Sequence, residues 1–509
     1  MQPAPKAPAN MEDIMASKTT LYLTSALAAC FAVSSPAFAA VNISSAPTKN
    51  VACSAGVCTP TAKGAILNAA DLQNLLATSD VTVNTGSGAV TIEITAPLAW
   101  ASTHRLTLNA SFNVSVKAVV AVEGTAGLTV NYSNGGDLLF FPGGKIDFWD
   151  TNSSLIVNGT SHVLVNDIAT LASDVAANQS GLYAFAKDYD AGPDGTYQNG
   201  ITNFGFAGEL EGLGHTVSNL SIQGGAVTAV GMFQQTVSGV VIRDLSLENV
   251  NIQASGGSVG AFVGQGGANF VDVSSSGSIS GGTDVGGLIG QLTNGGNVTR
   301  SHSSATVDGG SAETAGGLAG RASGAILYSY DVGRVSGGPK SLVGGLAGTL
   351  AGNVVQSYST AAVDSHGSVN IGGLLGALSQ DSTVTDSYAM GQVTAGHFSR
   401  IGGLVGTSSA GTVSTSYSTA SVIYRSHAPV QPRVGGFIGK SVHGRNRADY
   451  WDLDTSGQSS ACDRNCGDVT GLSDAALRSG LPGGFDAAVW GQSASVNDGY
   501  PYLIANPPQ

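Results

Sequence analysis

The side chains best suited to metal chemistry stand near the C-terminus of the chain. Four of them follow a D-x-D-x-S-G-x5-D spacing, and these are Asp452, Asp454, Ser456 and Asp463. Hard oxygen ligands at such spacings can wrap one Ca²⁺. No helical pattern flanks the segment, and Cys462 lies inside it. Calcium is therefore the only cofactor that the sequence suggests, and a loop of solvated turn residues is the alternative.

Tyrosine residues recur at regular intervals in the second half of the chain. The series considered for binding is Tyr328, Tyr358, Tyr388 and Tyr417. If it faced outward, it would form a ladder on which glycans or protein side chains could stack, because tyrosine offers a large contact area at low entropic cost. If it faced inward, the same rings would hold successive coils together. The sequence leaves both interpretations open.

Motifs of two common catalytic classes do not occur in the sequence. No histidine is followed by glutamate, so there is no H-E-x-x-H zinc motif, and there is no P-loop. A polysaccharide lyase or hydrolase would need carboxylates, often with Arg or Lys, converging on one face. The acidic residues of the repeats stand at different phases, which is typical of turns. We therefore expect a protein that is not an enzyme.

Four cysteines form two local pairs near the two ends of the chain. They are Cys53 with Cys58, and Cys462 with Cys466. In an oxidising compartment each pair can close a small loop. The spacings C-x4-C and C-x3-C, without a nearby histidine pair, are poor for zinc. We predict two disulfides.

Residues 15–40 have the pattern of an export signal, with Met15 as its natural start and residues 1–14 as an upstream extension. Lys18 precedes an apolar stretch over residues 21–33, and Ala37-Phe38-Ala39 places small residues for cleavage after Ala39. The alternative is a lipoprotein anchored at Cys30, since Leu27-Ala28-Ala29-Cys30 is similar to a lipobox. No later stretch reaches the ~18 apolar residues of a transmembrane helix. A net charge of −13 without a basic run argues against nucleic acid as a partner.

A short glycine-rich repeat must position the tyrosine series in the second half of the chain. Of 509 residues 72 are glycine, and only 11% are charged. A hexad of the form aliphatic-Gly-Gly-Leu-x-Gly recurs at intervals of 26 to 33 residues. Its first glycines are Gly260, Gly286, Gly316, Gly344, Gly372, Gly402 and Gly435. We expect these glycines to allow positive φ and close approach of successive coils.

A second motif lies between successive hexads and reads VVQSYSTAAV over residues 354–363. Each unit therefore holds short strand-like runs separated by turns. One unit cannot bury its apolar face alone, but stacked units can, so a fixed period of this length indicates a solenoid. We predict an all-β fold, a right-handed parallel β-helix, with short capping helices near residues 71–78 and 167–177.

These hexads resemble the GLUG motif over residues 225–440. Residues 206–220, FAGELEGLGHTVSNL, are similar to the coil that often precedes such repeats, and GYPYL at 499–503 to the end of these proteins. Residues 64–180, with Leu106-Thr107-Leu108-Asn109 and Leu128-Thr129-Val130-Asn131, are similar to filamentous-haemagglutinin-like exoproteins. The resemblance implies a secreted or surface β-helix of the adhesin or passenger type, and it implies no ligand.

We expect five segments along the chain. Residues 1–39 are an upstream extension with a signal peptide, 40–63 a cysteine-containing N-terminal segment, 64–225 irregular coils, 226–440 the GLUG solenoid, and 441–509 a C-terminal cap. The expected function is non-catalytic attachment at a bacterial surface, with glycans or proteins of a host, a cell surface or a matrix as partners. A carbohydrate-active β-helix enzyme and a purely structural surface passenger are the alternatives.

Overall fold

The computed structural model describes residues 40–87, 89–425, 433–464 and 466–509. It is nearly all β, and its strands form parallel ladders, so the predicted parallel β-solenoid is confirmed. The chain divides into two compact units, unit 1 up to Ser161 and unit 2 from His162 onward. The predicted cleavage site after Ala39 and the lipobox Cys30 lie outside the described residues. Within the described part of the chain, no helix is both long enough and apolar enough to cross a membrane.

Unit 1 is built from three ladders of short strands. The first ladder contains Ala40–Ser44, Ala65–Asn68, Thr91–Ile94, Val114–Val116 and Leu138–Phe140. The second contains Leu98–Trp100, Val119–Val122 and Lys145–Phe148. The third contains Val57–Pro60, Val81–Asn84, Arg105–Asn109, Gly127–Asn131 and Ser154–Val157. Alternating burial along these strands places apolar residues inside and polar residues outside, as the two-residue period of a strand requires.

Two local devices close the start of unit 1. Strand Val51–Ser54 pairs antiparallel with Val57–Pro60, and the predicted Cys53–Cys58 disulfide joins them. The helix predicted over residues 71–78 runs Ala69–Leu76, because the side chain of Asn68 accepts hydrogen bonds from the N–H groups of its first turn.

Unit 2 begins with coils of irregular length. Their strands are Thr160–Val165, Leu182–Phe185, Tyr189–Asp190, Thr196–Gln198, Glu209–Ser218, Ser221–Gly224, Val241–Ala254 and Ser274–Gly281. The second predicted helix runs Ile168–Ala177 and is capped by the side chain of Asp167. A 3-10 turn spans Gly192–Asp194.

The regular repeats of unit 2 contribute five short strands per coil. The two strands of the hexad form two ladders. The first is Ala229–Val230, Ser258–Val259, Asp284–Gly286, Thr314–Gly316, Leu342–Gly344, Asn370–Gly372, Arg400–Gly402 and Arg433–Gly435. The second is Thr202–Phe206, Phe233–Thr236, Val263–Gly266, Ile289–Leu292, Ala319–Ala322, Ala347–Leu350, Leu375–Leu378, Val405–Ser409 and Ile438–Val442.

The second motif supplies the other three ladders. Its first strands are Asn269–Val271, Asn297–Thr299, Ala325–Leu327, Asn353–Val355, Thr383–Thr385, Thr412–Ser414 and Arg445–Arg447. Its second strands are His302–Ser303, Tyr330–Asp331, Tyr358–Ser359, Tyr388–Ala389, Tyr417–Ser418 and Asp449–Asp452. Its third strands are Thr306–Asp308, Arg334–Gly337, Ala362–Ser365, Val393–Ala395 and Val422–Tyr424.

The hexad glycines are required by close packing of successive coils. A Cβ atom on Gly344 would lie 2.6 Å from the backbone nitrogen of Gly376 and 2.7 Å from the Cα of Leu375. None of the seven hexad glycines has a positive φ, so that part of the expectation is wrong. Their role is to let the backbone of one coil touch the next, while the hexad leucines, such as Leu346 and Leu374, fill the core.

The C-terminal region contains short elements instead of further complete coils. They are the strands Val469–Leu472, Trp490–Gly491 and Tyr502–Leu503, the helices Leu453–Ser456 and Asp474–Leu477, and a 3-10 turn over Asn497–Gly499. The predicted Cys462–Cys466 disulfide closes a loop between them.

Candidate functional site

The central feature of the repeats is a column of stacked aromatic rings, which we call the tyrosine ladder. It consists of His302, Tyr330, Tyr358, Tyr388 and Tyr417, one residue from each of five successive coils. Neighbouring ring centroids lie 4.7 to 5.1 Å apart, and the planes are tilted by 3 to 8°. This spacing matches the separation of paired strands, so the ladder geometry of the backbone fixes the stack.

Tyr328, the first residue of the predicted series, does not belong to this column. The strand register pairs Tyr330 with Tyr358, which places Tyr328 beside Gln356. Tyr328 occupies a corner where the backbone has a positive φ of 51°, and the equivalent Gln356 has 45°. In this coil the second motif has a tyrosine on each side of its serine. The tyrosine after the serine is the one that aligns with Tyr358 of the next coil.

The tyrosine ladder is covered by residues 485–509, which we call the C-terminal strap. Tyr358, Tyr388 and Tyr417 have no exposed surface. The Trp490 ring lies 6.1 Å from Tyr388 and 5.8 Å from Tyr417. The Tyr417 hydroxyl donates a 2.7 Å hydrogen bond to the Pro501 carbonyl. These rings therefore join the repeats to the C-terminal region and are not an open stacking platform.

Burial changes the chemistry of the ladder hydroxyls. It raises the pKa of Tyr330 to about 12 and those of Tyr388 and Tyr417 well above the ordinary value of 10. Only Tyr330 and His302, at the start of the column, keep partial exposure. The ladder thus supplies neutral, mostly enclosed rings.

A column of buried serines runs beside the tyrosine ladder. Its members are Ser301, Ser329, Ser357, Ser387 and Ser416, all without exposed surface. Each hydroxyl donates to the carbonyl two residues earlier and accepts the backbone N–H of the preceding coil, as in Ser357, at 2.9 and 3.1 Å. Asp449 ends the column by accepting the N–H of Ser416 at 3.0 Å. Burial raises the pKa of Asp449 to about 8.

The four predicted calcium ligands do not converge. Asp452 caps the helix Leu453–Ser456 by accepting two backbone N–H groups, and the Ser456 hydroxyl accepts the N–H of Gln458. Asp454 accepts the backbone N–H of Asp474, and Asp463 lies 3.4 Å from Arg433. Among the described residues, no group of three or more His, Cys, Asp or Glu side chains could hold a metal ion. In this structure the four side chains act as capping, turn and ion-pairing groups.

One acidic and basic cluster, which the sequence analysis missed, lies in the irregular coils of unit 2. Arg243 Nε is 3.3 Å from Glu211 and 2.7 Å from Asp244. Burial raises the pKa of Glu211, although the Arg243 charge opposes the shift. Glu211 is 2% exposed and also accepts the backbone N–H of Leu213, so its oxygens are engaged inside the coil. In the sequence, the only sign of this cluster is the E-x-E run of Glu209 and Glu211, and Arg243 follows one coil later.

A G-x-S-x-G spacing over residues 256–260 also fails to form a nucleophile elbow. Ser258 lies in the strand Ser258–Val259 and not in a strand-to-helix turn. It is 5% exposed, and its hydroxyl is 3.4 Å from Asp284, which also accepts the Thr314 hydroxyl at 2.7 Å. These contacts tie neighbouring coils together.

An open polar groove lies on the third ladder of unit 1. It has a volume of about 460 Å³, and its lining residues are Asn84, Thr85, Gly86, Asn109, Ala110, Ser111, Asn131, Tyr132 and Ser133. Asn109 donates to the side-chain oxygen of Asn84 at 2.9 Å, and Asn131 donates to that of Asn109 at 2.8 Å. The sequence signal was the T-x-N triplet that ends three strands, with unequal spacings that hide it from a search for a fixed period.

Comparisons with known proteins support the repeat. The model of the GLUG motif matches residues 281–308. Halomucin from Haloquadratum walsbyi is 26% identical over 247 residues, which are 46% of this chain and 3% of halomucin. A solved structure from Bacteroides ovatus, described as an immunoglobulin A1 protease, is 16% identical in sequence. The match covers 68% of this chain and 93% of that structure, with a TM-score of 0.37. The chain is therefore a parallel β-solenoid that contains GLUG repeats.

Proposed function

We propose that this protein is a non-catalytic attachment protein of a bacterial surface. The observation that carries the proposal is the open groove of unit 1, lined by amides and hydroxyls from three successive coils. Similarity to halomucin and the export pattern of residues 1–39 support a location outside the cell. A solenoid suits attachment because each coil repeats the same outward positions, so weak contacts can add along one face.

The competing enzymatic function would need groups that act on a substrate in an accessible place. The Glu211–Arg243–Asp244 cluster combines the right residue types, but its carboxylates are buried and hydrogen-bonded within the coil. The groove of unit 1 is accessible, but its polar lining side chains are amides, hydroxyls and one phenol, and Gly86 and Ala110 complete the lining. The groove therefore fits attachment better than hydrolysis or elimination, and the buried cluster supports neither function.

Purified protein applied to immobilised glycans, matrix proteins and whole cells tests the proposal. We expect retention on at least one of these surfaces and unchanged glycans by mass spectrometry after capture. Shortened or unsaturated products would contradict the non-catalytic function. Absence of retention on every surface would contradict attachment and favour a structural passenger.

A further inference from the structure

The outward face of the third ladder in unit 1 carries a regular grid of polar side chains. Asn84, Asn109 and Asn131 are in register in three successive coils and form what we call the asparagine column. Two residues earlier along the same strands, Thr82, Thr107 and Thr129 form a parallel threonine column. The columns are about 6–7 Å apart along the strands, and coils are about 4.8 Å apart across them.

The asparagine column keeps hydrogen-bonding capacity for a ligand. Each side-chain amide has two N–H donors and an oxygen with two lone pairs. The ladder bonds use one donor of Asn109 and one donor of Asn131, and one lone pair each on Asn84 and Asn109. All three side chains are half-buried, so the remaining donors and lone pairs can reach the groove. Because the ladder already fixes the rotamers, binding would cost little further side-chain entropy.

The chemistry of the lining selects the ligand. Among the described residues, those that line the groove carry no charge, and the nearby Arg105 on the same strand face donates a 3.0 Å hydrogen bond to the Thr129 hydroxyl. A phosphate, sulfate or uronate in the groove would therefore have no Lys or Arg among the lining residues to pair with. An apolar ligand would leave buried amides without partners, which is unfavourable. Side-chain amides that both donate and accept suit the vicinal hydroxyls of a sugar. The Thr85 and Ser111 hydroxyls pair with each other at 2.8 Å, so the amides are the main polar groups that face a ligand. Tyr132 also lines the groove, and an aromatic ring can pack against the C–H face of a pyranose.

We infer that this groove binds an uncharged, extended glycan that lies across the coils, with Asn84, Asn109 and Asn131 each contacting successive sugar hydroxyls. The distance between coils is close to the length that one pyranose adds to an extended chain, so the register of ladder and ligand can be kept over several units. The hairpin of Val51–Ser54 and Val57–Pro60, closed by the Cys53–Cys58 disulfide, pairs with the strand of Asn84 and fixes that end of the site. The inference rests on the proposed attachment function and names its ligand class.

The test compares Asn84→Asp with a matched substitution elsewhere in the same protein. Asn84 only accepts in the ladder, so an aspartate there keeps the hydrogen bond from Asn109 while it removes the N–H donors and adds a charge. Asn269 accepts from Asn297 in the same way at 3.0 Å in unit 2, so Asn269→Asp is the control. The probes are immobilised β-1,4-mannan, glucomannan and cello-oligosaccharides, which are uncharged and extended, with alginate and hyaluronan as anionic counterparts.

We expect the unmodified protein to bind at least one uncharged glycan and neither anionic one. Asn84→Asp should weaken that binding roughly tenfold or more, because a hydrogen bond to the glycan is lost and a charge is left facing it. Asn269→Asp should bind as the unmodified protein does. Asn109→Ala, with unfolding measured in parallel, should weaken binding further.

Three outcomes would overturn the inference, and they separate it from the attachment function. Equal glycan binding by Asn84→Asp and the unmodified protein would place the site elsewhere and leave attachment standing. Retention only on anionic glycans, proteins or cells would exclude the uncharged ligand and also leave attachment standing. Retention on no surface at all would remove both.

Discussion

Unit 1 and unit 2 each carry a column of like side chains at coil spacing, and the two columns have opposite surroundings. The asparagine column lines an open groove, whereas the rings of the tyrosine ladder are enclosed by the C-terminal strap. The backbone geometry is the same in both places, since parallel strands set the spacing. What differs is whether another segment of the chain lies on top. A repeated side chain therefore shows where a ladder is, and the cover decides whether that ladder can bind a ligand.

The largest expected effect comes from Asp449, which ends the serine column beside the covered tyrosine ladder. Its pKa in the fold is about 8, above the ordinary 3.8, because burial opposes the charge and Asp468 lies nearby. The folded state therefore holds a proton that the unfolded state releases as pH rises. The contribution of Asp449 to the free energy of unfolding should be fully present below pH 4 and fall by an amount of the order of 5 kcal/mol towards pH 8. Urea unfolding at several pH values measures this slope.

Asp449→Ser should flatten that dependence, because a serine there continues the serine column and can still accept the N–H of Ser416. Some slope should remain, since burial also raises the pKa of Asp331. Asp308→Ser is the control, because Asp308 is exposed and its neighbour in register is already Ser336. Identical slopes in the unmodified protein and Asp449→Ser would show that Asp449 is not the buried acid.

Removing the cover itself should have the next largest effect. Trp490 is 1% exposed and packs on Tyr388, Tyr417 and Phe485. Trp490→Ala should lower the free energy of unfolding by about 3–5 kcal/mol. Hydrogen exchange should rise in the coils of the tyrosine ladder. Trp149 in unit 1 is 65% exposed, so Trp149→Ala should change stability by less than about 0.5 kcal/mol. Equal effects of the two substitutions would contradict the difference between the columns.

The ladders of this fold could be predicted from the sequence to the extent that the repeats are regular. The hexads with Gly344 and Gly372 recur at nearly fixed intervals, and stacking follows from their need to bury leucine. The cysteine spacings predicted both disulfides because each pair can only close a short local loop.

The candidate site could not be predicted in the same way, for two physical reasons. The cover over Tyr417 comes from residues near Pro501, far along the chain, and strand periodicity says nothing about such contacts. The groove of unit 1 depends on three triplets at unequal spacings, where Asn109 follows Asn84 by 25 residues and Asn131 follows after 22. Only the register of the folded ladder aligns them.

Both columns depend on close contacts between successive coils. Glycine-to-alanine substitutions test whether the backbone can move to accept a Cβ atom at these contacts. A Cβ on Gly344 would meet backbone atoms of the next coil at 2.6 Å, so Gly344→Ala should cost about 1–3 kcal/mol. In unit 1, a Cβ on Gly144 would lie 2.0 Å from the Val116 carbonyl oxygen, so Gly144→Ala should cost as much. Gly480→Ala is the control, because no atom lies within 4 Å of its Cβ position. Tolerance of Gly144→Ala alone would show that unit 1 has looser coils than unit 2.

The smallest effect distinguishes two tyrosines within the covered column. The Tyr417 hydroxyl donates to the Pro501 carbonyl at 2.7 Å and accepts from Asn497 at 2.9 Å, so Tyr417→Phe should cost about 1 kcal/mol. The Tyr388 hydroxyl is buried and has no hydrogen-bond partner among the described residues, so Tyr388→Phe should be neutral or slightly stabilising. Both substitutions keep the ring and its stacking, so the difference between them measures only what the strap contributes through hydrogen bonds. If both substitutions lowered the free energy of unfolding by the same amount, the hydrogen bonds of Tyr417 to the strap would add no stability. The strap would then stabilise the ladder through ring packing alone.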